Sequence, residues 1–162
     1  MKAIVQRVSR ASVSVDGEIV SSIGRGICVF IGIARNDQAS DLEYIVRKLL
    51  NVRVFENPTT AKKWDLSVKD AGGEILCVSQ FTLHSVLKGN KLEFRNAKSG
   101  DESKSMYLEV LESLKKQYQE DKIKDGVFGA YMDVQIANDG PVTIVLDSGG
   151  DKASDLSNAE GP

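Results

Sequence analysis

The chain has 162 residues, 41% hydrophobic and 27% charged, with a formal net charge of −2. That length builds one compact domain, and the charge balance excludes a broadly basic surface for coating long nucleic acids. No apolar run reaches the ~20 residues of a membrane helix, and MKAIVQRVSRASVSV lacks the unbroken apolar core of a signal peptide.

Val13 and Val15 alternate with Ser12, Ser14 and Asp16, the period of a half-buried strand, and Asp16-Gly17 predicts a hairpin turn into EIVSSI. ICVFIGIA, residues 27–34, is apolar nearly throughout and predicts a central strand covered on both faces. Ser40 and Glu43 have capping-box spacing, and Leu42, Ile45, Val46, Leu49 and Leu50 follow on one helical face. VRVF at 52–55 reads as a short strand, residues 56–73 as a polar loop, and EILCV at 74–78 as another buried strand.

A second helix is expected over about 101–119, with Met106, Val110 and Leu114 on one face. Its acidic start at Asp101 and Glu102 and basic end at Lys115 and Lys116 suit the helix dipole. GVFGAYMDVQIA and TIVLD then flank NDGP as paired strands. Asp-Gly is ordinary turn chemistry, but the following Pro141 removes a donor where pairing should resume. The sum is one α+β domain at 1–147, mostly antiparallel and barrel-like with two main helices. SGGDKASDLSNAEGP, residues 148–162, reads as a polar, disordered tail.

Cys28 and Cys77 sit singly in apolar runs, so core packing in a reducing, cytoplasmic setting is the natural reading. His84 is the only histidine, which disfavours a histidine-based metal site. A lone histidine after a strand is ordinarily a loop residue. Neither G-x-x-x-x-G-K-[ST] nor G-x-G-x-x-G occurs. Ser79, Gln80 and Thr82 cluster where a buried strand gives out. From His84 to Lys98, Lys88, Lys91, Arg95 and Lys98 outnumber Glu93, giving +3 in an acidic chain. A solvated loop accounts for such a patch; a grip on phosphates, with Phe94 stacking on a base, is the functional alternative.

SQFTL at 79–83 and NDGPVT at 138–143 together resemble the two signature motifs of the D-aminoacyl-tRNA deacylase family. The likeness extends over RGICVFIGI, VRKLLNVRVFE and KDGVFGAYMDVQIANDGPVT, the last similar to the eukaryotic branch. Leu92 stands where the family often has proline, and Arg95 where eukaryotic members have histidine.

The resemblance implies a homodimeric hydrolase, without metal or cofactor, that cleaves D-aminoacyl or glycyl esters at the 3′ end of tRNA. It implies a cis Gly140-Pro141 bond entering the partner's pocket, its two carbonyls receiving the substrate ammonium. L-side chains would clash there, and Arg7 would steady the loop. Backbone N–H groups at Phe81 and Thr82 would face the ester carbonyl, with Ser79 and Gln80 at the adenosine. Phe128 and Met132 are expected to line the pocket, and Lys88, Lys91 and Arg95 to meet tRNA. The rival expectation is a non-catalytic module that holds single-stranded nucleic-acid ends.

Overall fold

The computed structural model describes residues 1–151. β1 (Lys2–Val15) turns at Asp16-Gly17 into β2 (Glu18–Ile23). Both turn residues have positive φ, 52° and 80°, the geometry that matches the twist of paired strands. β3 (Gly26–Gly32) continues antiparallel to the first half of β1, as β2 does to the second half. After α1 (Ala39–Asn51), β4 (Glu74–Ser79) lies parallel to β3. A small hairpin of β5 (Val86–Lys88) and β6 (Lys91–Glu93) precedes α2 (Gly100–Gln117).

β7 (Ile123–Asp125) adds parallel to β4, and β8 (Asp133–Asp147) runs antiparallel along nearly all of β1. The sheet is therefore mixed, with two parallel pairs the alternation pattern did not distinguish. Ser21 Oγ on β2 donates to the Asp125 carbonyl on β7 at 2.7 Å, so the sheet curls nearly into a barrel.

Strand alternation sorts the core into two clusters. Ala3, Val5, Ile27, Val29, Ile31, Ile75 and Cys77 face the helices, packing against Ile45, Leu49, Val110 and Leu114. Val8, Val13, Cys28, Leu76 and Val78 fill the inside of the curl with Phe30, Met132 and Val134. β3 and β4 are thus covered on both faces, as their unbroken apolar runs require. Burial pushes the Cys28 thiol up to about 12, and the Cys77 thiol up as well, so both act as packing atoms.

Five expectations are corrected. VRVF is not a strand: Val52 N–H closes α1 on the Lys48 carbonyl, Phe55 makes one isolated bridge to Leu66, and the Val54 carbonyl accepts from Arg7. These contacts go to three different places, and only the Phe55–Leu66 bridge is sheet-like. α1 begins at Ala39, and its first-turn carboxylate is Asp41, which accepts the Gln38 N–H at 2.9 Å; Ser40 and Glu43 lie inside the helix.

NDGP joins no hairpin. Residues 133–138 and 143–147 both pair with β1, and only the four residues between them loop out. GVFGAYM before Asp133 is turn, not strand. Finally, Ser148–Asp151 form a helical turn, and buried Ser148 accepts from the Met1 amine at 2.9 Å and donates to Asp41 at 2.7 Å. The rest of the expected disordered tail lies outside the described residues.

Candidate active site

β4 ends at Ser79, and the chain leaves the sheet one residue later. Gln80 N–H donates to the Ile31 carbonyl at 2.7 Å, and Phe81–His84 close into a single 3-10 turn. Gly32 makes room for that turn. A Cβ there would lie 2.8 Å from Leu83 Cβ, 3.0 Å from the Gln80 carbonyl oxygen and 3.2 Å from His84 Cδ2. His84 is buried, not looped out as expected: its Nε2 lies 3.0 Å from the Gly32 carbonyl, which selects the Nε2–H tautomer. Burial lowers its pKa despite that bond. The Phe81 and Thr82 amides open the turn, so no carbonyl of the turn can accept from them. Gln80 Nε2 donates to Thr82 Oγ1 at 2.7 Å.

This strand end forms one wall of a cleft of about 370 Å³. Ser79, Gln80 and Phe81 line it from one side, Phe128 and Met132 from the other, over a floor of Phe30, Val78 and Val134. Five of the residues singled out from sequence therefore meet here. The far wall is braced from behind. Tyr107 of α2 packs on Phe128, ring centroids 5.7 Å apart, and its hydroxyl donates to Asp125 Oδ1. Burial raises the pKa of both groups. Met132 folds back so that its sulfur accepts the Val127 N–H at 3.4 Å, a position open only because Gly126 lacks a Cβ.

Ser103 and Lys98 also line the cleft, and neither was singled out as a pocket residue. Ser103 had a legible signal, for it shares a helical face with Tyr107, Val110 and Leu114, where a serine is out of place. Lys98 was only counted among charges.

Gly140 and Pro141 lie elsewhere. Their peptide bond is cis, with Gly140 at φ +127°, and both residues are exposed at the tip of the loop that leaves β8. Arg7 fixes the loop base: Nε donates to the Asp139 carbonyl at 3.1 Å and lies 3.3 Å from the Asp139 carboxylate, while Nη1 donates to the Val54 carbonyl at 2.6 Å. Asn138 Oδ1 accepts the Val142 N–H at 3.2 Å, closing the loop from within.

Trp64, exposed and at φ 56°, flanks a second cleft with Arg7, Gly140 and Pro141. β8 is separated from β4 by β1 and β3, and Ser79 lies four residues beyond Ile75, which is level with Arg7 through Ile27. At about 4.8 Å per strand and about 3.3 Å per residue, the bulge and the Ser79 cleft are roughly 20 Å apart over the sheet.

The basic residues divide. Lys88 and Lys91 face one another across the β5–β6 hairpin and are exposed. Arg95 pairs with Glu93 at 2.7 Å and lines a different cleft. Phe94 packs edge-on against Phe81, centroids 5.0 Å apart. Among the described residues no group of three or more His, Cys, Asp and Glu could hold a metal ion, and no helix is long and apolar enough to cross a membrane.

Fold and cleft together define a small α+β protein with a cleft of polar and apolar side chains at a strand end and, apart from it, an exposed main-chain loop with a cis Gly140-Pro141 bond. The family model for D-Tyr-tRNA(Tyr) deacylase matches residues 4–147, and the chain belongs to that family, whose members hydrolyse the aminoacyl-tRNA ester. It is 57% identical to Homo sapiens D-aminoacyl-tRNA deacylase 1 over 148 residues, 91% of this chain and 70% of the relative. It is 55% identical to Dictyostelium discoideum D-aminoacyl-tRNA deacylase over 91% of this chain and 98% of that one.

Among solved structures it is similar to the c-Myc DNA Unwinding Element Binding Protein, with TM-score 0.88 and 57% identity, covering 91% of this chain and 98% of that one. A probable eukaryotic D-amino acid tRNA deacylase shares the fold at TM-score 0.78 and 18% identity, over 90% and 98% of the two chains.

Proposed function

We propose that the protein is a homodimeric proofreading hydrolase that frees tRNA from D-amino acids, and from glycine, by cleaving the ester at the terminal adenosine. The observation that carries this reading is the separation of its two motifs. One chain holds a cleft at Ser79–Phe81 and, roughly 20 Å away over the sheet, an exposed Gly140-Pro141 loop braced by Arg7. A second copy related by a two-fold axis can offer its loop to this cleft, and the first can return the favour.

In the assembled site the Gly140 and Pro141 carbonyls of one subunit receive the substrate ammonium. An L-side chain then points into main chain, whereas a D-side chain or the hydrogen of glycine points away. Such a filter rejects a hand without recognising any particular D-side chain. Phe81 and Thr82 N–H groups face the ester oxygen, each oriented donor contributing on the order of 3 kcal/mol to the transition state. Ser79 and Gln80 hold the adenosine side, between Phe128 and Met132.

Thr82 positions water and does not attack. The partner of its hydroxyl oxygen is the Gln80 amide, which is not a base, and His84 is turned to Gly32. Lys88, Lys91 and Arg95 meet the tRNA, in a reducing, cytoplasmic setting that suits the two unpaired thiols. The test is release of D-tyrosine from D-tyrosyl-tRNA without ATP. Comparable release from the L-form would refute the reading.

A second reading, a module that binds nucleic-acid ends without turnover, draws on the 57% identity to the c-Myc DNA Unwinding Element Binding Protein, a relative named for binding DNA. Binding of D-tyrosyl-tRNA with no hydrolysis would favour it.

A further inference from the structure

We propose that a cleft beside the active site, built around Arg35, takes the backbone phosphates of the single-stranded 3′ end whose last nucleotide occupies the Ser79 cleft. The proposal rests on the aminoacyl-tRNA reading above, which brings Arg95 to the tRNA, and adds Arg35 and the part of the tRNA that this cleft takes.

The cleft measures about 510 Å³ and is lined by Ala34, Arg35, Asn36, His84, Arg95 and Asn96. Two guanidiniums and two side-chain amides converge there, a donor set matched to phosphodiester oxygens. Arg35 is exposed, and among the described residues its guanidinium makes only a long contact, 3.5 Å, to the Arg95 carbonyl. Glu93 is the carboxylate paired with Arg95, at 2.7 Å. The nearby Asp37 is buried and satisfied, accepting from the Met1 amine and from the Ala34 N–H, each at 2.6 Å. Its charge therefore does not cancel the arginines. Burial keeps His84 neutral, leaving the cleft a net cationic surface on a chain of net −2.

Placement ties the cleft to the catalytic region. The segment from Phe94 to Lys98 is held against the chain just past β3: Lys98 N–H donates to the Ile33 carbonyl at 3.0 Å, and Arg35 N–H to the Asn96 carbonyl at 2.8 Å. Lys98 lines the Ser79 cleft while its Nζ donates to the Arg35 carbonyl at 3.3 Å. Lys98 and Arg35 thus mark a continuous cationic path from one cleft into the other. A strand leaving the Ser79 cleft meets that path first, and the Phe81–Phe94 ring pair stands beside it as a stacking surface.

The test is equilibrium binding of uncharged tRNA to the full chain over a range of salt, for wild type, Arg35→Ala and Arg35→Lys. The same series uses tRNA trimmed of its single-stranded 3′ nucleotides. Arg35→Ala is expected to weaken binding of intact tRNA about tenfold and to lower the log–log salt slope by about 0.7–1. Arg35→Lys restores the slope, and trimmed tRNA is indifferent to either change. Unchanged affinity and slope for Arg35→Ala overturn the proposal. So does equal weakening for intact and trimmed tRNA, which would make the cleft a general backbone contact. No turnover is required, so a wild-type protein that binds but fails to hydrolyse D-aminoacyl-tRNA strikes the enzymatic reading instead.

Discussion

Adding one methyl group at Gly32 perturbs the candidate active site without removing any group that meets substrate. The new Cβ would sit 2.8 Å from Leu83 Cβ and 3.0 Å from the Gln80 carbonyl oxygen. Carbon atoms rest at about 3.5–4.0 Å, so the Phe81–His84 turn must retreat by about 1 Å. Overpacking of this kind costs about 1–3 kcal/mol of stability, leaving the fold intact in a domain of ordinary stability. The catalytic effect is larger, because a displacement of about 1 Å at positioned groups costs about 10²-fold in rate.

Gly32→Ala is therefore expected to lower kcat/KM on D-tyrosyl-tRNA about a hundredfold, chiefly in kcat, with a modest fall in Tm. Gly24→Ala is the control, since its Cβ would meet only Glu74 Oε1 at an ordinary 3.6 Å. Wild-type kcat in a folded Gly32→Ala protein would refute the assignment of the Phe81 and Thr82 amides.

His84→Ala removes the bond to Gly32 and some packing but no proposed acid or base. It should retain most activity, and a loss of several orders of magnitude would contradict the main-chain account. The folded-state pKa of His84 is depressed, so its contribution to stability is present above the unfolded value of 6.5 and is lost as pH falls below it. Tm measured from pH 7.5 to 5 should fall on the acid side, less so in His84→Gln. Arg7→Ala severs the charged bonds to the Asp139 and Val54 carbonyls, about 1.5–3 kcal/mol each. It should narrow the ratio of D- to L-tyrosyl-tRNA hydrolysis, measured side by side, and an unchanged ratio would free the loop from Arg7. Prolonged chelation should leave kcat unaltered.

Much of the scaffold was legible because local chemistry and final pairing agree. Asp16-Gly17 specifies its own hairpin, the unbroken apolar runs of β3 and β4 specify two-sided burial, and the spacing in α1 specifies its inner face. The NDGP segment was misread for a physical reason. Alternation tells which face of a strand is buried but not which strand lies beside it, so two flanks that both pair with β1 look like a hairpin.

VRVF has the β-branched composition of a strand, yet Arg7 and the end of α1 claim its backbone. Ser148 is one small polar residue in a polar tail, and its burial depends on Met1 and Asp41. Of the residues singled out by motif and strand end, Ser79, Gln80, Phe81, Phe128 and Met132 line one cleft. Ser103 carries only a periodic signal, a serine on the buried face of α2, and Arg35, on the neighbouring cleft, carries none beyond its charge.

Subunit complementation examines the shared site most directly. Gly32→Ala impairs the cleft, while Gly140→Ala deforms the loop, its Cβ meeting Val142 Cγ2 at 2.9 Å and Arg7 Nη2 at 3.1 Å from a backbone at φ +127°. Each variant alone should be nearly inactive. Co-refolded in equal amounts, half of the dimers pair an intact cleft with an intact loop at one of two sites, and about a quarter of wild-type D-tyrosyl-tRNA hydrolysis should return. Activity no greater than the mean of the two parents would contradict a chirality filter supplied by the neighbouring subunit.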